Sequence, residues 1–256
     1  MRALVAFTKK ELLELIRSGR LAILGILFLL LGVMNPLFAK LTPLILEMLS
    51  DSLAESGMTV TDRTVSAMDS WVQFFKNMPI GLIAFVLIES SIFTKEYATG
   101  TLVLSLTKGL KRCSVVISKT LVLVLLWSIC YWLCFSVTYA YNAYFWDNSV
   151  AQSLMFSVFC SWLFGIWMLL MTAFFSVISK TNVGVLCGTG GVVLVSYILS
   201  MIPKIEKYMP TSLFDANSLI YGVKQPGDYT VAVLVAIMTC AVSFFVSIFL
   251  FNKKQL

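Results

Sequence analysis

Six separate stretches of this chain are apolar and long enough to cross a lipid bilayer, which limits the fold before any other feature is weighed. A hydrocarbon core of about 30 Å takes roughly 20 residues of helix. In lipid the backbone must satisfy its own hydrogen bonds, so each run has to be a helix packed against its neighbours. The runs occupy residues 21–39, 78–94, 115–141, 150–178, 183–202 and 230–251. Of the 256 residues, 59% are apolar and only 12% charged, against about 25% charged in soluble domains. The expected fold class is therefore an all-α polytopic membrane protein, a single transmembrane domain over residues 1–256. An even number of spans puts both ends on one side.

Charge decides which side. Lys and Arg near span ends favour the cytoplasm. With the N-terminus inside, thirteen of the nineteen basic residues fall on the cytoplasmic side, among them Arg2, Lys9, Lys10, Arg17, Arg20, Lys119, Lys180, Lys253 and Lys254. Nine of the thirteen acids fall outside, so the expected orientation is N-in, C-in. The formal charge of +6 follows the edges of apolar runs, so it points to a bilayer and not to nucleic acid. The first run exceeds the 7–15 residues of a signal peptide and is read as a retained span. No histidine is present, which removes Ser-His-Asp triads, His-ligated zinc and histidine proton relays. Of the six cysteines, five lie in apolar runs and Cys113 in a cytoplasmic loop, so no disulfide is expected. Cys130 and Cys134 share a helix face and read as packing thiols, with no metal site expected.

The segments between spans carry their own signals. Residues 1–20 read as an amphipathic helix on the inner surface, with Leu4, Val5, Leu12, Leu15 and Ile16 on one arc and Lys10, Glu14 and Arg17 opposite. Outer loops cover 40–77 and 203–229. In the first, Thr42-Pro43 reads as a helix start and Gly57 as a stop. A second stretch from Arg63 to Lys76 forms either a hairpin partner or an extension of the second span. Residues 203–229, with Pro203 and Pro210, read as re-entrant short helices between spans five and six.

Residues 95–114 form the cytoplasmic turn between spans two and three. Glu96 precedes Gly100-Thr101-Leu102, a short apolar helix follows through Leu104 and Leu106, and Thr107 to Arg112 is a basic turn leading to Lys119. An apolar patch beside a carboxylate suits a docking surface. This pattern, with the six spans, the amphipathic N-terminal helix and the Pro-containing segment before span six, resembles the membrane subunits of ATP-binding-cassette (ABC) exporters of the type 2 permease family, the type V fold. The family usually has a Pro in the basic turn, where this chain has Lys108-Gly109.

The resemblance implies a division of labour. Such a permease pairs with a second copy or a sister, and two cytoplasmic ABC ATPase subunits bind below it, carrying ATP and Mg. Glu96, Gly100, Thr101, Leu102, Leu104, Leu106 and Arg17 of the N-terminal helix would couple ATPase closure to the spans. No G-x-x-x-x-G-K-[ST] loop occurs, so this chain is not expected to be an enzyme, and it binds no cofactor of its own. The glycine-rich Gly188-Thr189-Gly190-Gly191 lies inside span five and reads as helix packing. The expected function is export of amphipathic or hydrophobic cargo, peptides included, across a bacterial plasma membrane by alternating access. Phe85, Glu89 and Tyr197 are the candidate pathway residues. Glu89 lies inside a span, where it either lines the pathway or pairs with a basic residue of the elbow. Two other readings stand beside this one: a secondary transporter or channel, or a non-transporting membrane partner of an ABC ATPase. An intramembrane enzyme lacks an acid–base pair in the spans.

Overall fold

A computed structural model describes residues 2–48, 65–107 and 109–254. Everything described is helical or turn, with no strand among the described residues, and six helical stretches are long and apolar enough to span a membrane. In chain order the helices are α1 Arg2–Arg17, α2 Arg20–Met48, α3 Ala67–Glu89, α4 Thr94–Thr99, α5 Thr101–Thr107 and α6 Arg112–Phe145. They continue with α7 Leu154–Ile178, α8 Asn182–Ser200, α9 Pro203–Glu206, α10 Ala216–Ile220 and α11 Thr230–Lys253.

Several element boundaries differ from the sequence-based expectation, each for a physical reason. Thr42-Pro43 does not start a new helix: α2 runs on through Pro36 and Pro43 to Met48, and the Thr42 hydroxyl donates to the Phe38 carbonyl at 2.6 Å. The Thr42 bond lies one residue from the carbonyl that Pro43 orphans, Ala39, whereas Pro36 orphans Gly32, which the Thr138 hydroxyl of α6 caps at 2.9 Å. Gly57, expected as a stop, lies outside the described residues. From Ala67 on, the stretch before span two is the extension of that span, one of the two arrangements expected, and not a hairpin partner. It is the first part of α3, opened by the Ser66 backbone N–H donating to the Asp69 carboxylate at 3.0 Å. Cys113 sits in the first turn of α6 and not in a loop.

The bundle packs in two groups. In the first, α2, α3 and α6 meet around an aromatic core, where Phe28, Phe85 and Trp127 stand edge-to-face with centroids 5.4–6.5 Å apart. Such pairs add about 0.5–1.5 kcal/mol each beyond burial. In the second, α7 packs with α8 and α11. The groups join where α7 crosses α6. A Cβ on Gly165 would stand 2.2 Å from the Trp127 ring, so only glycine lets the helices approach there. Trp127 Nε1 donates to the Trp162 carbonyl at 3.2 Å and the Tyr131 hydroxyl to Val158 at 2.8 Å. Gly188 plays the same part between α7 and α8, its missing Cβ leaving room for Phe175, while Gly190 and Gly191 face open space. Between α8 and α11 the chain makes short helical turns, and Leu213, Ala216, Leu219 and Ile220 are buried there, with Phe214 on the Phe164 ring.

Candidate coupling site at the helix ends

Both ends of the described chain reach one face of the bundle, where the turn between α3 and α6 also lies. Lys10 reaches Glu96, Arg112 reaches the end of α11, and Lys254 reaches the end of α7. On this terminal face a second, smaller apolar cluster gathers Phe7, Phe93, Leu102, Val115, Val116, Val177 and Phe251. It joins α1, the elbow, α6, α7 and α11.

Inside this cluster lies an ionic knot. Glu96 is buried, and one carboxylate oxygen is 2.8 Å from Lys10 Nζ while the other is 3.2 Å from Lys119 Nζ. Lys119 also holds Glu11 at 2.9 Å, and Lys10 holds Glu11 at 3.0 Å and Glu14 at 3.3 Å. The Lys119 ammonium stands 5.6 Å from the Phe93 ring and 6.0 Å from the Phe7 ring, a cation–π enclosure. Thr8 adds a hydroxyl bond to Ser118 at 2.9 Å. Burial opposes the charge on Lys10, but the bond from Glu96 and the neighbouring Glu11 outweigh it and hold Lys10 above the usual lysine range. Glu14 is likewise desolvated, yet Lys10 beside it brings its carboxyl below the ordinary value. Glu11, Glu14 and Glu96 offer oxygens within 4.8 Å of one another, but two ammonium groups already stand among them, so a divalent cation would have to displace both.

Around the knot, Arg20 at the start of α2 holds Glu89 at 2.9 Å. Glu89 thus pairs with the first span and not with a basic residue of the elbow, and its second oxygen is buried without a hydrogen-bond partner. Gly100 links α4 to α5 at φ 65°, a left-handed conformation that glycine takes without penalty. Thr94 donates its hydroxyl to Asn182 at the start of α8, so the elbow reaches the second helix group too.

The structure places the sequence-derived candidates unevenly. Glu96 is at the centre. Gly100 and Thr101 are exposed at the tip of the elbow, and Arg17 is exposed in the last turn of α1. Leu102 is 1% exposed and packs inward, so it fastens the elbow to the bundle and presents no docking patch; Leu106 is half-buried. The side chain of Leu104 lies outside what is described. Phe85 is fully buried between Phe28 and Trp127, which removes it from any open surface of this chain. Tyr197 is 58% exposed on α8.

Sequence reading missed Lys10 and Lys119 as partners of Glu96, and Glu11 as the acid that shares them. The signal was present: an acid on the inward side of α1 and a lysine two turns inside an apolar span both need partners. Most of the apolar arc of α1 also turned out to face away: Val5, Leu12 and Ile16 are 64%, 39% and 58% exposed, while Leu15 of that arc is buried together with Phe7 and Glu11. Ionic pairing to α6 and the elbow sets the rotation of the helix and leaves Val5, Leu12 and Ile16 on its outer side. Residues 5–256 match a family model described as ABC-2 family transporter protein. No curated protein matches the chain.

Proposed function

The chain belongs to the ABC-2 family of transporter proteins as a membrane permease subunit and not itself a catalyst, and from that premise we propose that it is the exporting half of an ATP-driven pump. Two copies, or one copy and a sister, enclose the pathway. Two ABC ATPase subunits, which hold ATP and Mg, dock on the terminal face, and that face is cytoplasmic in the N-in, C-in orientation favoured by its thirteen basic residues. The pathway opens inward without ATP and outward when the ATPases close, each nucleotide state favouring the conformation it binds better. Cargo is amphipathic or hydrophobic, peptides included, because the spans carry few ionisable groups beyond Glu89 and its partner. The membrane in this reading is a bacterial plasma membrane.

One observation carries the reading: a single buried carboxylate, Glu96, ties α1 to both the elbow and α6. A push on the tip of the elbow, at Gly100 and Thr101, is then passed to α1 and to α6 as one unit. Glu96 acts here as a positioning residue, since its carboxylate is turned into the bundle. Tyr197 is the candidate pathway residue on the chain's own surface, and Glu89, paired to Arg20, helps set the first two spans.

The test is co-purification of the chain with its ATPase in lipid, followed by measurement of transported cargo per ATP. Glu96→Ala and Gly100→Pro should leave the ATPase bound while cargo-stimulated hydrolysis falls to the basal rate. Full coupling in both variants would overturn the elbow assignment. Transport by the chain in vesicles without any ATPase would favour the secondary-transporter reading instead.

A further inference from the structure

Charge on the terminal face divides into a matched part and an unmatched part. Glu11, Glu14, Glu89 and Glu96 are answered by Lys10, Lys119 and Arg20. At the neighbouring corner, where α6 begins and α7 and α11 end, stand Lys111, Arg112, Lys180, Lys253 and Lys254. Among the described residues no carboxylate pairs with any of these five. Arg112 donates to the carbonyls of Phe251 at 3.3 Å, Asn252 at 3.4 Å and Lys254. Lys254 Nζ in turn donates to Val177 and Ile178 at the end of α7. These two cations close helix ends, and in doing so they bring the others together. Lys254 is held below the usual lysine range by burial and by Lys180 beside it, a sign that positive charge is crowded here.

Lys111, Lys180 and Lys253 remain exposed. The surface beside these cations is apolar: on α11 Phe245 and Phe249, two turns and one turn before Lys253, are 67% and 57% exposed, with Lys253 4.3 Å from the Phe249 ring centroid, and on either side of Lys180 Ile178 is 48% and Val183 69% exposed. Cations crowded at the polar end of an exposed apolar strip match one class of molecule in both chemistry and shape. We propose that this corner binds an anionic phospholipid, its phosphate-bearing headgroup meeting Lys111, Lys180 and Lys253 and its acyl chains lying along Val183, Ile178 and Phe249. A free phosphate satisfies the cations but leaves the apolar strip unused, and a zwitterionic lipid brings its own positive charge against them. The inference rests on neither the exporter reading nor the direction in which the chain is inserted.

The experiment uses the purified full chain in nanodiscs of phosphatidylcholine containing a minority of phosphatidylglycerol, released into detergent and weighed by native mass spectrometry. The wild type should retain phosphatidylglycerol out of proportion to its share of the bilayer. Lys180→Gln with Lys253→Gln should weaken that retention by roughly fivefold per lysine removed. Lys180→Arg with Lys253→Arg should preserve it, and so should Lys9→Gln on the exposed face of α1. Both lysines are exposed and, among the described residues, have no acidic partner, so unchanged thermal unfolding is expected in every variant. Equal retention of the two lipids would overturn the site. An equal loss from Lys9→Gln would reduce it to diffuse surface charge, and displacement of phosphatidylglycerol by inorganic phosphate alone would remove the acyl-chain part of the assignment.

Discussion

Lys119 carries its charge into a place almost without water: 3% of its side chain is exposed, and its ammonium stands among Glu11, Glu96 and two aromatic faces. A buried charge is tolerated while its partners remain and becomes costly once one of them goes. Lys119→Met therefore leaves two buried carboxylates, Glu11 and Glu96, sharing the one ammonium of Lys10 and should destabilise the chain by about 3–5 kcal/mol, read as a fall in the thermal unfolding midpoint in micelles. Glu14→Gln, at the half-exposed rim of the knot, should change that midpoint little, because partly exposed pairs contribute about 0–1 kcal/mol. Equal effects from both changes would mean that the knot is not organised around Lys119. The sequence made Glu96 stand out by its spacing from Gly100-Thr101-Leu102, yet could not say which way its carboxylate turns. Direction depends on partners from α1 and α6, more than eighty and about twenty residues away.

At the scale of elements, α2 shows how a membrane helix carries a proline. Pro36 has no N–H to give to Gly32, and the Thr138 hydroxyl of α6 caps that carbonyl at 2.9 Å. Asn35 then bonds Thr138 at 3.1 Å and accepts from Asn77 of α3 at 2.9 Å, which staples three helices beside the proline. Thr138→Val should cost about 1 kcal/mol, the usual worth of such bonds between membrane helices. The same change should cost less in a Pro36→Ala background, where residue 36 regains the N–H that bonds Gly32. A double-mutant cycle on unfolding midpoints checks this, and additivity would show that the hydroxyl is not serving the proline. The elbow makes a second case. A Cβ at Gly100 meets nothing within 4 Å, so Gly100→Ala acts through its positive φ alone. Its expected cost is about 1–2 kcal/mol in elbow stability, seen as faster hydrogen exchange confined to residues 94–107. Asn35-Pro36 was readable as an interruption of span one, but not that α6 repairs it, since nothing in a local pattern shows which distant hydroxyl arrives.

Across the whole molecule, α1 is a separable lever whose grip depends on charge. Lys10 is raised and Glu14 lowered. A lowered carboxyl contributes stability above its unfolded value of 4.5 and loses it as pH falls through the folded value. A raised lysine contributes below its unfolded value of 10.5 and loses it only at more alkaline pH. Docking of α1 should therefore be flat from about pH 6 to 9 and loosen below pH 4.5, measured by the mobility of a spin label at Val5. Loosening near neutral pH would show that other groups hold the helix. The amino-acid sequence by itself determined the number of spans, their helical nature and the side on which basic residues collect, because lipid allows one solution for an apolar run of that length and charge patterning is local. It also carried the outline of the elbow in one contiguous stretch. The tertiary structure alone decided that Phe85 is core, that Leu102 faces inward, that α1 turns its acids to the bundle, and that five cations with no carboxylate partner among the described residues share a corner. Each of those depends on which helix packs beside which, and in lipid that choice comes from shape and rare polar contacts between segments far apart in the chain, where hydropathy is the same on every side.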